Sequence, residues 1–374
     1  MKGSQIGIIG GGIAAAVIIA VLLVSQTGIS QDTTPLPADN DVVTPTIEPE
    51  NEVAVQSEDK LLVYTTFYPL YQFTQGVAGD AAEVRILIPS NADPHASELG
   101  PKTIAALTKA DMVIYNGADF EPYIDEIMSA SDFAHIVFVD SSEGIELMEG
   151  EAHDHHGHGS HGEDVHDDHS KEDVHDDHGE EGGIDHTYDP HIWLDPILAK
   201  AQVMTIADHL QESDPAHAEI YHDNAISYAN QLDQLDQEIR SDVSSCAKDT
   251  FVPFHNAFSY FAERYDLNTL AVIQEFSPET PVTAKDIEEL IHFAEDNDIK
   301  YFFTEENRNP KLAERLASEL GGDILLFSPL ESLSANDDPN VTYFEKMREN
   351  VDNLQIALEC NWQHIFQNLM TGKV

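Results

Sequence analysis

Cysteine and the basic residues are scarce in this chain of 374 residues. Its two cysteines are too few for a disulfide-stapled scaffold or a cysteine-cluster zinc site, and they allow at most one bridge. Only 18 lysines and arginines stand against 69 aspartates and glutamates, which gives a formal net charge of -51. Because such a charge repels phosphate backbones and anionic lipid surfaces, nucleic-acid binding is excluded and cations become the expected ligands. The length exceeds what one ordinary core holds, so we expect two domains or lobes.

Charged residues are also missing from residues 6–24, a run of 19 positions near the amino terminus. A run of this length can cross a bilayer as a helix, so residues 1–30 are predicted to anchor the chain, with its body outside the cytoplasm. A cleaved secretory signal is the alternative, although no clear small-x-small cleavage site and no cysteine for lipidation follow the run. Glycines 10–12 with Ala15 imitate a dinucleotide-binding fingerprint, but the strand and the acidic residue that this motif requires are missing.

Residues 31–59 contain eight acids and four prolines but no lysine or arginine. This composition offers too little apolar surface to fold, so it predicts a disordered acidic linker. The linker would join the membrane segment to a folded body that begins near residue 60.

Beyond residue 60, β-rich runs alternate with helical patterns, which is typical of α/β folds with parallel sheets. Strands are predicted at residues 61–66, 83–88, 112–116 and 135–139, and again at 251–255, 270–276, 300–304 and 323–327. Helices are predicted at residues 102–110, at 284–296 with Thr283 as a possible N-cap, and at 310–320. These patterns indicate two α/β lobes of four strands each.

A long helix is predicted between the lobes, over residues 215–244. No proline or glycine interrupts it after Pro215, and apolar side chains form one stripe at helical spacing: Ile220, Ala225, Tyr228, Leu232, Leu235 and Ile239. Such a helix would be roughly 45 Å long, which is enough to set the distance between two lobes. We therefore predict lobes at residues 60–214 and 245–374, joined by a rigid helix.

Three histidines stand out by their positions: His95 after the second strand, His191 in Asp-Pro-His-Ile-Trp-Leu-Asp-Pro, and His255 at the end of the fifth strand. Ligands of open α/β sheets bind beyond the carboxyl ends of the strands, where two of these histidines fall. A single loop histidine is more often exposed or hydrogen-bonded than metal-bound. Three imidazoles together, with an oxygen ligand or a water, make a tetrahedral zinc site, and this is the interpretation we favour.

Residues 151–186 form a low-complexity segment inside the first lobe, in which Val-His-Asp-Asp-His occurs twice. It predicts a disordered, metal-collecting loop, because ten imidazoles have no use in an insertion that needs only solubility. The accessory ligands would be His153, His155, His156, His158, His161, His166, His169, His175, His178 and His186.

From about Lys60 onward the chain resembles the extracytoplasmic solute-binding proteins of zinc and manganese ABC importers, especially the zinc-uptake branch. Three motifs in order carry the resemblance: Asp-Pro-His at 93–95 with Pro-Lys-Thr-Ile-Ala-Ala-Leu-Thr-Lys-Ala-Asp after it; the His-rich segment before Asp-Pro-His-Ile-Trp-Leu-Asp-Pro; and Phe-His-Asn-Ala-Phe-Ser-Tyr-Phe-Ala-Glu-Arg-Tyr-Asp-Leu at 254–267. The resemblance implies two α/β lobes on a rigid helix, with a metal held in the cleft between them by His95, His191 and His255. It also implies delivery of the metal to a membrane permease that a cytoplasmic ATPase drives.

One position departs from that family. Many relatives carry an aspartate just before a Pro-Leu pair after the last strand, as a fourth ligand or near neighbour, whereas this chain has Ser328. The fourth ligand is therefore open at this point. Glu305 and Glu306, which follow a predicted strand, are candidates, and so is a water.

Zinc is the expected cargo and manganese should bind more weakly, because a manganese site is expected to contain more carboxylate. A cell-surface metal buffer or adhesin is the main alternative to a monomeric importer component. A zinc hydrolase is disfavoured, since neither His-Glu-x-x-His nor paired acids accompany the histidines. Because the body is predicted to be exported, Cys246 and Cys360 are expected to form a disulfide that pins a last helix, residues 343–359, to the end of the long helix.

Overall fold

The structure is a computed structural model of the chain. It describes residues 60–89, 92, 94, 95, 97–149, 188–273, 276–278, 282–334 and 336–360. The predicted membrane anchor, the acidic linker and the His-rich segment 151–186 lie outside these residues. Within the described ranges, no helix is long and apolar enough to cross a membrane. All of these residues belong to the unit Glu58–Val374.

The first sheet has four parallel strands: β1 (Leu62–Thr65), β2 (Glu83–Ile86), β3 (Met112–Tyr115) and β4 (Val137–Asp140). Their order is β2-β1-β3-β4, so β1 and β3 form the buried centre of the sheet. Helices α1 (Tyr68–Ala78), α2 (Pro101–Leu107) and α3 (Ile124–Ser129) connect the strands. This half of the chain is the parallel α/β arrangement that the sequence patterns predict, with strands somewhat shorter than the predicted runs.

The second group of strands comprises two parallel pairs, β5 (Thr250–Phe251) with β6 (Asn268–Thr269) and β7 (Tyr301–Thr304) with β8 (Asp323–Leu326). A single bridge between Val252 and Phe302 links the pairs. The strand predicted at residues 251–255 therefore ends early, because Pro253 has no backbone N–H to donate to a neighbour. Of the strand predicted at 270–276, the described residues 270–273 and 276 contain one bridge, between Ile273 and His255.

Helices α6 (Ser259–Arg264), α7 (Ala284–Asp296) and α8 (Lys311–Leu320) pack around this second group, and α9 (Tyr343–Ala357) follows it. Thr283 caps α7 as predicted: its hydroxyl accepts the Asp286 N–H, and the Asp286 carboxylate accepts the Thr283 N–H. Gly321 ends α8 in the left-handed region with a φ of 72°, a conformation that favours glycine. The bounds of α7 agree with the predicted helix.

The long helix is α5 (Ala218–Val243), 26 residues or about 39 Å, and a second helix, α4 (Pro196–Ser213), precedes it. Sequence patterns did not predict α4, which packs along α5. The apolar stripe of α5 is buried as predicted except at its start, where Tyr221 is buried and Ile220 is 45% exposed.

One continuous apolar core reaches from the first sheet along α4 and α5 to β5 and α9. Val63 and Met112 of the first sheet, Leu232 of α5 and Phe251 of β5 all belong to it. Two smaller clusters lie elsewhere, one involving α2 and α3 and the other α7 and α8. Both groups of strands therefore share one packed support, which fixes where their carboxyl ends lie.

Cys246 and Cys360 form the predicted disulfide, which joins the segment after α5 to the end of the described chain. The Lys248 N–H also donates to the Leu358 carbonyl at this point. Lys248 and Lys300 form ion pairs with Asp298 and Glu359 beside the bridge.

Candidate metal centre

Four side chains converge at the carboxyl ends of the strands. His95 follows β2, His255 follows β5, and Glu331 follows β8. His191 comes from the segment that leads into α4 through the short turn Ile192–Leu194. All four side chains are buried, with His191 and His255 fully inaccessible.

The distances between their ligand atoms suit one small cation. Glu331 Oε1 lies 3.1 Å from His95 Nε2, 3.2 Å from His191 Nε2 and 3.3 Å from His255 Nε2. The Nε2 atoms of His191 and His255 are 3.3 Å apart. In a tetrahedral zinc site with metal–ligand bonds of 2.0–2.1 Å, neighbouring ligand atoms are about 3.3 Å apart. Four edges of the cluster therefore match the size of a zinc tetrahedron.

Two carboxylates orient His191 and His255 through hydrogen bonds to Nδ1, the ring nitrogen opposite the cluster. Asp189 Oδ1 accepts a hydrogen bond from His191 Nδ1 at 2.8 Å and another from the His191 backbone N–H. Glu305 Oε1 accepts from His255 Nδ1 at 2.6 Å. When a metal binds, each Nδ1 keeps its hydrogen toward a carboxylate, so that Nε2 is the nitrogen that offers its lone pair to the metal, as in metal-binding histidines generally.

The electrostatics of the cluster favour a cation. Burial alone lowers the pKa of His255, but the charges of Glu305 and Glu331 outweigh it and raise that pKa to about 10. The pKa of His191 is also raised, because hydrogen bonds to Asp189 and Glu331 outweigh burial. Burial raises the pKa of Glu331, yet the charges of His95 and His255 leave it well below its usual range. Glu331 is therefore ionised, and His255 in the metal-free chain holds a proton that a cation must displace.

Of the predicted site residues, the structure brings His95, His191 and His255 together. Glu305 and Glu306, the candidates for a fourth ligand, lie outside this group. Glu305 is held behind His255, with Arg308 Nε 4.0 Å from its other oxygen. Glu306 is buried against the Lys346 ammonium at 2.6 Å. Each of the two carboxylates therefore has a specific partner, His255 Nδ1 for Glu305 and Lys346 for Glu306, and neither is among the four grouped side chains.

The accessory histidines lie in the segment that the structure does not describe, so they are neither brought to this cluster nor separated from it. They are His153, His155, His156, His158, His161, His166, His169, His175, His178 and His186.

Glu331 is the residue that the sequence analysis missed. The aspartate expected at position 328 is replaced by Ser328, but a carboxylate reappears three positions later, beyond Pro329 and Leu330. Glu331 also follows the end of β8, so the strand-end rule that selected His95 and His255 could have found it. Ser328 stabilises the turn instead, since its N–H donates a hydrogen bond to Asn350 Oδ1 at 2.7 Å.

The chain is similar to known zinc-uptake and zinc-binding proteins. A family model described as "Zinc-uptake complex component A periplasmic" matches residues 63–357. The high-affinity zinc uptake system protein ZnuA of Bacillus subtilis is 35% identical over 301 residues, which cover 80% of this chain and 88% of that protein. The zinc-binding protein AdcA of Streptococcus pyogenes is 32% identical over 320 residues, which cover 85% of this chain but 60% of AdcA.

Among solved structures, the laminin-binding protein Lmb of Streptococcus agalactiae is similar, with a TM-score of 0.66 and 28% sequence identity. The match covers 80% of this chain and 100% of Lmb, which is described as a bifunctional protein with adhesin and metal transporting activity.

Proposed function

The chain belongs to the periplasmic zinc-uptake complex component A family, and from this premise we propose that it captures zinc outside the cytoplasm and delivers it to the permease of an ABC importer. The family is one of transport binding proteins, not of enzymes. The observation that carries the proposal is the buried cluster of three histidines and one glutamate, whose spacing suits a zinc tetrahedron.

His95, His191, His255 and Glu331 are the proposed ligands. Three neutral imidazoles with one carboxylate are a typical zinc set, whereas manganese favours a larger share of oxygen ligands. Zinc is therefore the proposed cargo, with manganese bound more weakly. Glu305 and Asp189 are proposed to orient the ligands rather than to bind the metal.

Two lobes around a rigid helix are the proposed architecture, with the metal between residues 60–214 and 245–374. The support for it is that His95 and His191 come from the first range and His255 and Glu331 from the second. A ligand set divided in this way lets the metal hold the two halves together, so that a permease could distinguish the loaded chain from the empty one.

Residues 1–30 are proposed to anchor the chain to the membrane, with residues 31–59 as the linker and a cleaved signal as the alternative. Residues 151–186 are proposed to collect zinc with lower affinity near the site. The support is the sequence alone: a charge-free run of 19 residues in the first case and ten histidines in the second.

Zinc titration of the purified chain by calorimetry, with a competing chelator, tests the ligand set. We expect one tight zinc per chain, and a loss of tight binding when His191→Ala and His255→Ala are combined. His292→Ala is the matched control, because His292 is an exposed histidine on α7. Unchanged tight binding in the double variant would contradict the proposal.

Adhesion is a second candidate function, favoured by the similarity to Lmb. Binding of the chain to immobilised laminin, with and without zinc, tests it. Saturable binding would add adhesion to metal capture. A failure to bind laminin, together with tight zinc binding, would leave zinc delivery as the function.

A further inference from the structure

The turn that presents Glu331 is strained. Leu330, the preceding residue, has a φ of 59° in the left-handed region, although it is not a glycine and its side chain is completely buried. A branched side chain disfavours this conformation, so it persists only where surrounding contacts determine it. Contacts that hold residues 328–330 would therefore also set the position of the Glu331 carboxylate.

Asn350, on α9, forms two hydrogen bonds to the backbone at the start of this turn. Its Oδ1 accepts the Ser328 N–H at 2.7 Å, and its Nδ2 donates to the Ser328 carbonyl at 2.6 Å. The Ser328 hydroxyl in turn accepts the Leu330 N–H at 3.1 Å. Asn350 is only 3% exposed, so water does not compete for these bonds.

Trp193 forms a hydrogen bond to the middle of the same turn. Its indole N–H donates to the Pro329 carbonyl at 2.8 Å, and the ring is fully buried. Trp193 lies two residues after His191, so one side chain links the segment that carries a histidine to the turn that carries Glu331. The Trp193 carbonyl accepts a hydrogen bond from Tyr343 Oη at 2.7 Å.

Tyr343 and Asn350 are seven positions apart on α9, two turns along one face of the helix. One face of α9 therefore forms hydrogen bonds to both segments of the site. Tyr343 bonds to Trp193 in the segment that carries His191, and Asn350 bonds to the turn that carries Glu331. None of these three side chains belongs to the proposed ligand set.

We propose that Asn350, Trp193 and Tyr343 are positioning residues for zinc: through them α9 fixes the distance between Glu331 and the histidines. The 3.1–3.3 Å separations around Glu331 Oε1 leave little tolerance for a shift of the turn. Side chains that support metal ligands in this way typically change metal affinity roughly 10- to 100-fold when they are removed.

Zinc affinity of two asparagine variants gives the first test. Asn350→Ala should weaken zinc binding by roughly 10- to 100-fold. Asn353→Ala is the matched control, because Asn353 lies on the same helix and its Nδ2 donates to the Leu326 carbonyl at 2.9 Å, before the turn begins. The control should bind zinc like the parent chain. Equal affinities for the two variants would overturn the proposal.

A double-mutant cycle separates positioning from general damage. Trp193→Phe keeps a buried ring but removes the N–H that holds Pro329, so it serves even if Asn350→Ala fails to fold. In the parent chain it should weaken zinc binding, whereas in a chain that already carries Glu331→Ala it should change the affinity less than about twofold. An equal loss in both backgrounds would show that Trp193 does not act through Glu331.

The visible absorption of bound cobalt gives a further test. Its d–d bands report the geometry of the metal ligands, so a side chain that only stabilises the fold should leave them unchanged. Trp193→Phe should change these bands in the cobalt-loaded chain, and Asn353→Ala should leave them as in the parent. Identical spectra for parent and Trp193→Phe would overturn the proposal.

The inference rests on the proposed function, and the two can fail separately. Weak zinc binding by the parent chain would contradict the proposed function. Tight binding by the parent and by Asn350→Ala and Trp193→Phe, with a loss in Glu331→Ala, would contradict only the role of α9.

Discussion

At the scale of single residues, the site combines three imidazoles with three carboxylates that do different work. Glu331 lies among the Nε2 atoms, while Asp189 and Glu305 hold the opposite nitrogens of His191 and His255. The carboxylates compensate the burial of a divalent cation, and they also attract protons to the imidazoles when no metal is bound.

Zinc binding should therefore release protons, and zinc affinity should rise with pH. The pKa of His255 is raised to about 10, so protons compete with zinc for this ring at pH 7, and the raised pKa of His191 acts in the same direction. Lowering the pH increases that competition and weakens binding, whereas raising it toward 10 relieves it. Calorimetry in buffers of different ionisation enthalpy should show roughly one to two protons released per zinc at pH 7. Release of none would contradict the protonation scheme.

At the scale of elements, strand-end placement made His95 and His255 predictable from the sequence, and the same rule applies to Glu331 after β8. His95 lies in the loop after one β-rich run and His255 ends another, and a rule for open α/β sheets selects both. The position of Glu331 depends on the left-handed backbone conformation of Leu330 and on the hydrogen bond between Ser328 and Asn350, which is distant in sequence. Those tertiary contacts leave no local pattern, so the sequence could indicate a ligand after β8 but not which residue of the turn reaches the cluster.

Lys346 of α9 should be important for stability. Its ammonium is buried against Glu306 at 2.6 Å, with Glu349 and Asp337 at 3.2 Å and 3.5 Å. Lys346→Met leaves Glu306 as an uncompensated buried charge, which should cost about 3–5 kcal/mol of unfolding free energy. Urea denaturation measures this loss, and Glu306→Gln added to Lys346→Met should recover much of it. Equal stability of parent and Lys346→Met would contradict the pairing.

The disulfide joins the end of α5 to the end of α9, so it should stabilise the fold without touching the site. It spans a sequence separation of 114 residues. For a loop of that size the chain-entropy estimate is about 4.7 kcal/mol, an upper figure. Cys246→Ser with Cys360→Ser should lower the urea midpoint and leave zinc affinity within about twofold of the parent. Two reactive thiols in the unreduced, denatured parent would contradict the bridge.

At the scale of the whole molecule, the α/β fold, a long helix and three of the four side chains of the cluster follow from the sequence, while the packing does not. Periodicity predicted α5 and α7, because helical stripes and caps are local signals. It missed α4, and it placed Ile220 on the buried stripe where Tyr221 lies instead. These errors have one cause: a single core runs through both halves, and its contacts decide which face of each helix is buried.

Deleting residues 153–186 should separate the tight site from the weaker ones. The described residues on either side remain tied together, because the Asp189 N–H donates to the Met148 carbonyl, and Tyr260 Oη bonds both the Met148 N–H and the Asp189 carbonyl. Total zinc bound should fall while the tightest dissociation constant stays within a few-fold of the parent, since imidazoles of a low-complexity segment lose conformational entropy when they converge on a metal. Loss of tight binding would mean that this segment supplies a primary ligand.

The most direct test of the central claim is an anomalous difference map at the zinc edge, from crystals of the chain loaded with one equivalent of zinc. The account predicts one dominant peak bounded by His95 Nε2, His191 Nε2, His255 Nε2 and Glu331 Oε1, each at about 2.0–2.1 Å. A dominant peak elsewhere, or one that Glu331 does not reach, would contradict it.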